Sequence, residues 1–283
     1  MMSKSLSSGQ PLGPLSVGNV VSAALRIYRD RFLVYYKLAF TAYLWAIVPV
    51  YGWAKFTMIS GLISRLAYQE VIESPETVKE ARRHVKPRLW TFLGVGLLVG
   101  LILFFSMILY GMLASIIFSI FSSFFQLSQG SDRWIIAVLF TLFVMGAILV
   151  FLFGYTWLYS RISLAEMPVA IEENSSATKA ISRSWKLTKG LIYHLILVYF
   201  IAFLITTPIS GLMQILISII QAVLSVVLSA ESPIVFVIYF IFVLLINFAG
   251  GALLVPFWQA IKAVIYYDLR SRKEGIDLNL RES

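Results

Sequence analysis

Hydrophobic and polar positions along the chain alternate between two regimes. Short stretches in which cations recur every three or four residues are followed by long stretches without any charge. Residues 175–189 show the first regime best. At about 100° per residue, Ala177, Ile181, Trp185 and Thr188 fall together, and Lys179, Arg183 and Lys186 fall opposite them. That pattern predicts a basic amphipathic helix lying in a membrane surface. Lys79, Arg83 and Lys86 keep the same spacing earlier in the chain. Arg26 and Arg29 match the last two cations of the set, with Tyr28 where Trp185 sits.

The charge-free runs predict the remaining elements. Residues 38–54 lie between Lys37 and Lys55, carry Pro49 and Gly52, and lead into a helix-like stretch that reaches Glu73. A single crossing there would put Lys4, Arg26, Arg29, Arg31 and Lys37 on the outer side, against the positive-inside bias. A shallow helical hairpin turning near Pro49–Gly52 is therefore expected. The runs Leu89–Ser131 and Gly190–Ala230 are each too long for one upright span and too short for two. The first is expected to span to Tyr110 and then, from Gly111, to tilt or lie in the interface; Pro208 is the expected kink of the second. Residues 127–133 and Glu231-Ser232-Pro233 read as outer turns, with return spans at Trp134–Ser160 and Ser232–Ile261. The latter emerges at Lys262. Ser16 and Ser74 read as helix N-caps, the second with Pro75 at the first helical position, and Pro87 as a stop.

The pattern thus predicts an all-α, polytopic integral membrane protein with amphipathic surface helices and internally repeated helical hairpins. Residues 1–15 form a flexible tail. Residues 16–268 form one membrane domain of three units (16–73, 74–173 and 174–268), and 269–283 form a C-terminal tail. Nearly all Lys and Arg then lie on one side, so both termini are expected in the cytosol.

Composition sharpens this picture. At 59% hydrophobic and 13% charged, the chain departs far from soluble averages. The net charge of +9 is carried by cations flanking the apolar runs, where anionic lipid, and not nucleic acid, is the nearer counter-charge. With no cysteine, disulfide and thiol chemistry are excluded.

Candidate chemistry is sparse. Ser115, Ser119, Ser122 and Gln126 follow Gly111 on one helix face, and Ser210, Gln214, Ser218, Gln221 and Ser225 keep the same spacing in the third unit. Such stripes serve close helix packing with interhelical hydrogen bonds, or line a water path or headgroup pocket; packing is the preferred reading. Asn247, ahead of Gly250 and Gly251, reads as a buried helix-to-helix hydrogen bond. Gly94, Gly96 and Gly100 read as a close-approach surface and not a nucleotide loop, because no strand precedes them. His84 and His194 have no second ligand at metal spacing. No GxSxG, HExxH or Walker pattern and no paired carboxylates occur, so no catalytic residue, cofactor or metal is expected.

PLSVGNVVSAALRIYRDRF, ATKAISRSWKLTKG and PFWQAIKAVIYYDLRSRKEG together resemble the membrane domain fused to some bacterial glycerophosphoryl diester phosphodiesterases. They resemble its stand-alone relatives too, cyanobacterial members among them. The resemblance implies a fold and a location in a bacterial plasma membrane or thylakoid membrane. That family's enzymatic activity belongs to a separate soluble barrel, and nothing here matches it.

The function expected is that of a non-enzymatic membrane module binding anionic lipid at its cytosolic face and supporting a membrane-protein partner, a second copy or membrane organisation. Arg26, Arg29, Lys79, Arg83, Lys86, Lys179, Arg183 and Lys186 are the expected headgroup contacts. The alternative is a passive channel or a lipid or small-solute transporter using the polar stripes. An intramembrane enzyme is disfavoured, since general acid–base work needs titratable groups in the spans.

Overall fold

The computed structural model describes residues 15–127, 133–173, 175–227 and 233–275. Every regular element among them is a helix. In chain order these are α1 (Val17–Asp30), α2 (Phe32–Ala46), α3 (Tyr51–Val71), α4 (Val78–Val85), α5 (Leu89–Leu127), α6 (Arg133–Ile162), α7 (Glu166–Ile171), α8 (Ala177–Thr188), α9 (Ile192–Val227) and α10 (Pro233–Glu274). Four helical stretches, containing α5, α6, α9 and α10, are long and apolar enough to cross a membrane. Of the expected outer turns, 127–133 and 231–233, and the expected tail, 1–15, residues 128–132, 231–232 and 1–14 lie outside the described residues, as do 228–230 and 276–283.

Local sequence explains the helix starts. Ser16 caps α1, its Oγ accepting from the Asn19 N–H at 3.2 Å. The cap of α4 is Thr77, and not Ser74 as the Ser-Pro pair suggested. Thr77 completes a capping box, its Oγ1 taking the Glu80 N–H while the Glu80 carboxylate takes the Thr77 N–H at 2.8 Å. Two reciprocal bonds outweigh the fixed φ of Pro75. A short 3₁₀ turn, Lys86–Arg88, accommodates Pro87 and hands the chain directly to α5.

Residues 32–71 form the expected hairpin, turning at 47–50. Arg31 pairs with Glu70 at 2.5 Å at its open end, Tyr43 meets Phe56 edge-on midway, and Trp45 meets Tyr51 at the tip. Gly52 lets the two helices close, because a Cβ there would strike the Trp45 carbonyl. Val50 opens α3 with φ 58°, a strained value for a β-branched residue. Ile47, Val48 and Val50 stand exposed at this tip.

The hairpin is no peripheral appendage. α3 is the axis of the packed region, with every residue from Met58 to Tyr68 buried, and α2, α5, α7 and α10 surround it. One apolar cluster forms around α3 from Tyr35, Leu62, Val85 and Phe92; a second forms around the last part of α10 from Val20, Leu195, Val198 and Tyr266. Gly61 is needed here, since a Cβ would enter the Phe92 ring.

This packed region is the head. Beyond it the four long helices continue as two arms, α5 with α6 and α9 with α10. No described residue of α5 after Val95, of α6 before Ser160, of α9 after Thr206, or of α10 before Phe248 is buried. Within each arm the helices do meet. Phe121 stacks on Phe140 at 4.4 Å between ring centres, Tyr110 sits on Gly154, and Met213 sits on Gly250.

The long helices correct two expectations. α5 runs unbroken through Gly111, for 39 residues or about 58 Å. In apolar surroundings a break would strand backbone N–H and C=O groups, so the helix continues. α9 also stays helical through Pro208, the position at which a kink was expected. α10 does not end at Lys262 or at Asp268; it runs to Glu274 with Leu269 fully buried, so residues 269–274 belong to the fold and not to a tail.

Candidate functional site

Charge is sorted in the head. One set of cations is drawn inward and paired. Arg65, on the buried axis α3, donates to both Glu76 oxygens at 2.8 and 2.6 Å and to the Ala170 carbonyl at 3.0 Å. Arg272 pairs with Asp268 at 2.8 Å, and Asp268 also accepts the Leu15 N–H at 3.0 Å, tying the start of the described chain to α10. Arg270 pairs with Glu274 at 3.0 Å and donates to the Tyr68 hydroxyl at 3.2 Å. Arg88 caps the end of α7 through the Val169 and Glu172 carbonyls, at 2.9 and 2.6 Å. Arg161 lies between Trp157 and Trp185, 5.5 and 5.0 Å from their ring centres.

The other set points outward. Arg26 on α1, Lys79, Arg83 and Lys86 on and just after α4, and Lys179 and Lys186 on α8 are exposed and make no salt bridge among the described residues. Arg29 is exposed and touches only its neighbour Asp30, at 3.5 Å.

Arg183 is the exception among the expected headgroup contacts. It is half-buried, pairs with Glu172 at 3.1 Å and pairs also with Glu274. Burial alone would lower its pKa, but Glu172, Glu274 and Tyr266 more than offset that, and the guanidinium is held above its ordinary value. Its charge is spent inside the head. The orientation of α8 explains why: its buried positions are Ala180, Ser184, Leu187 and Thr188, which rotates Arg183 inward and leaves Trp185 39% exposed. The sequence wheel put Trp185 on the apolar face turned toward the membrane, opposite Arg183. Ser184 fixes the observed orientation of α8 by donating to the Arg161 carbonyl at 2.7 Å.

The polar stripes neither pack against one another nor enclose a path among the described residues. Ser115, Ser119 and Ser122 donate to the carbonyls of Met112, Ser115 and Ser119, and Ser210 and Ser218 to those of Thr206 and Gln214, all on their own helices. Gln126, Gln214 and Gln221 are exposed; the Ser225 side chain lies outside the described residues. Asn247 is exposed as well, and its Nδ2 donates to Val243 O at 2.7 Å on α10 itself. The expected interhelical bonds are thus replaced by bonds to the preceding turn, which a short polar side chain can always reach. Of the three glycines, Gly94 faces Ala177 and Gly96 faces Thr57, while Gly100 faces open space. His84 is exposed. Among the described residues no group of His, Asp and Glu could hold a metal.

Burial and then Tyr36 push the Tyr28 phenol up to about 12, and its hydroxyl donates to the Leu253 carbonyl at 2.9 Å, locking α1 to α10.

A cavity of about 100 Å³ sits where the head meets the arms, among α3, α5, α6, α7 and α10. Phe92, Val95, Val99 and Ile162 give it apolar walls. Its polar side is Lys262, which donates to Glu166 Oε1 at 2.8 Å, together with Tyr159 and Ser163; Ser163 shares a 2.6 Å hydrogen bond with Tyr199. Sequence reasoning passed over these groups, taking Lys262 as the emerging end of a span. One signal was available. Lys262 is the only charge between Glu231 and Asp268, and a lone charge in so apolar a stretch must find a partner.

No family model matches the chain, and neither a curated protein nor a solved structure matches it.

Proposed function

We propose that the chain is an integral membrane module whose arms cross the bilayer and whose head binds anionic lipid from the cytosolic side, with both termini in the cytosol. The observation that carries this reading is the sorting of charge. Cations with internal work to do are paired with carboxylates, and those left over face outward on α1, α4 and α8, at the end of the molecule from which the apolar arms depart. Near an anionic surface each such cation contributes on the order of 1 kcal/mol. Each basic helix is followed by a helical pair, and we read the three sets as copies of one design. The role we assign is organisation of lipid or of a membrane partner.

The test is retention of phosphatidylglycerol by the full chain after purification in mild detergent. Neutralising Lys79, Arg83, Lys86, Lys179 and Lys186 together should lower retained lipid, and raising salt on the parent should have the same effect, because such attraction fades within a Debye length. Arg183→Gln should instead loosen α8. Equal phosphatidylglycerol in the five-site variant and the parent would defeat the proposal.

A further inference from the structure

The cavity at the base of the arms has a chemistry of its own, distinct from the outer cations. We propose that it holds the neutral, hydroxyl-bearing headgroup of a single membrane lipid whose acyl chains lie between the two arms.

Position is the first argument. Residues of α3, α5, α6 and α10 and the start of α7 all line the cavity. α10 packs on α9, α2 and α3 but forms no extended interface with α5 or α6. Beyond the cavity α5–α6 and α9–α10 continue as separate arms with apolar surfaces, Leu103 and Ile246 being half-buried residues on them. A polar chamber whose neighbourhood is apolar on the arm side matches a molecule with a small polar end and long apolar chains.

Charge selects the kind of polar end. Lys262 and Glu166 are already paired, with side chains only 14% and 19% exposed. A phosphate drawn to Lys262 would meet the Glu166 carboxylate, and an ammonium drawn to Glu166 would meet Lys262. Either would have to part a half-desolvated ion pair, a costly step. A hydroxyl need not. It can donate to the second Glu166 oxygen and accept from a free N–H of Lys262, leaving the pair intact. The Tyr159 and Ser163 hydroxyls add further partners that carry no charge.

Size points the same way. At about 100 Å³ the cavity is smaller than the roughly 150 Å³ cavity that accepts benzene, which suits a glycerol-sized head.

The test uses the full chain in phosphatidylcholine nanodiscs with three photoreactive probes, each carrying a diazirine on an acyl chain. These are diacylglycerol, its O-methyl ether, and phosphatidylglycerol. Diacylglycerol should label α5, α6 and α10 beside the cavity, and methylation should cut that labelling about tenfold, the loss of hydrogen bonds to charged groups. Val99→Trp, which fills the cavity without touching the ion pair, should do the same at an unchanged melting temperature. The exchange Glu166→Lys with Lys262→Glu preserves the pair and should preserve capture. Neutralising the outer cations should leave diacylglycerol labelling unchanged, which separates this site from the anionic surface. Equal labelling by the methyl ether, preferential labelling there by phosphatidylglycerol, or undiminished labelling in Val99→Trp would each overturn the proposal.

Discussion

The head and the arms treat a polar side chain in opposite ways. In the head, polar groups reach across to other helices. Ser64 bonds Gln259 at 2.9 Å, Tyr266 bonds Glu172 at 2.6 Å, and Arg65 joins α3 to Glu76 and to α7. In the arms, Ser115, Ser119, Ser218, Thr141 and Asn247 all bond the preceding turn of their own helix. The hydrophobic residues divide along the same line. Those of the head are buried, and those of the arms, Phe104, Phe143, Leu212 and Phe240 among them, are more than 40% exposed. In water such arms would collapse on each other, since burying apolar area is worth roughly 25 cal/mol per Å². Hydrocarbon removes that drive, and the arms then need only satisfy their backbones. The contrast is what the proposed membrane placement requires, a head packed on itself and arms that meet an apolar solvent.

The largest effect should follow from breaking the axis of the head. Arg65→Met leaves the Glu76 carboxylate with no cation and only the Gln69 amide at 2.7 Å, and should cost about 3–5 kcal/mol, seen as loss of a cooperative melting transition in detergent. Replacing both Arg65 and Glu76 by apolar residues should recover much of it.

A smaller loss is expected at Gly61. Gly61→Ala drives a methyl into the Phe92 ring and should cost about 1–3 kcal/mol in the same assay, and Phe92→Leu should relieve it. Non-additivity in that double variant would show that α3 and α5 meet as described.

The smallest effect belongs to the arms. Asn247→Leu and Ser119→Ala break only bonds within one helix, and each should change stability by less than about 0.5 kcal/mol. A larger loss would mean that an arm polar group has a partner across a helix interface, which would blur the distinction between the two regions.

Much of this was legible in the sequence for a physical reason. Helix starts, turns and apolar runs are local, so the Ser16 cap, a turn near Pro49 (expected at Pro49–Gly52, found at 47–50) and the four long helices could be read from neighbouring residues. The pairing of charges could not. Lys262 and Glu166 are 96 residues apart, and Tyr266 and Glu172 are 94 apart. On a helical wheel Arg183 is indistinguishable from Lys179; only the packing of α8 through Ala180 and Ser184 shows that one is spent and the other free. Asn247 misled in the opposite direction. Its apolar surroundings suggested burial in protein, when they are the mark of a helix with no protein around it.

The absence of cysteine from the chain makes the decisive measurement direct. Single cysteines placed in turn at positions 101–112 of α5 and 236–247 of α10 can carry a spin label, and its collisions with oxygen and with a water-soluble nickel complex can be read in liposomes. The account predicts high oxygen and low nickel collision over most of each arm, with protection confined to the seam inside each hairpin, and the reverse at positions 79 and 179. Nickel access along the arms, or a second protected face on each, would contradict it.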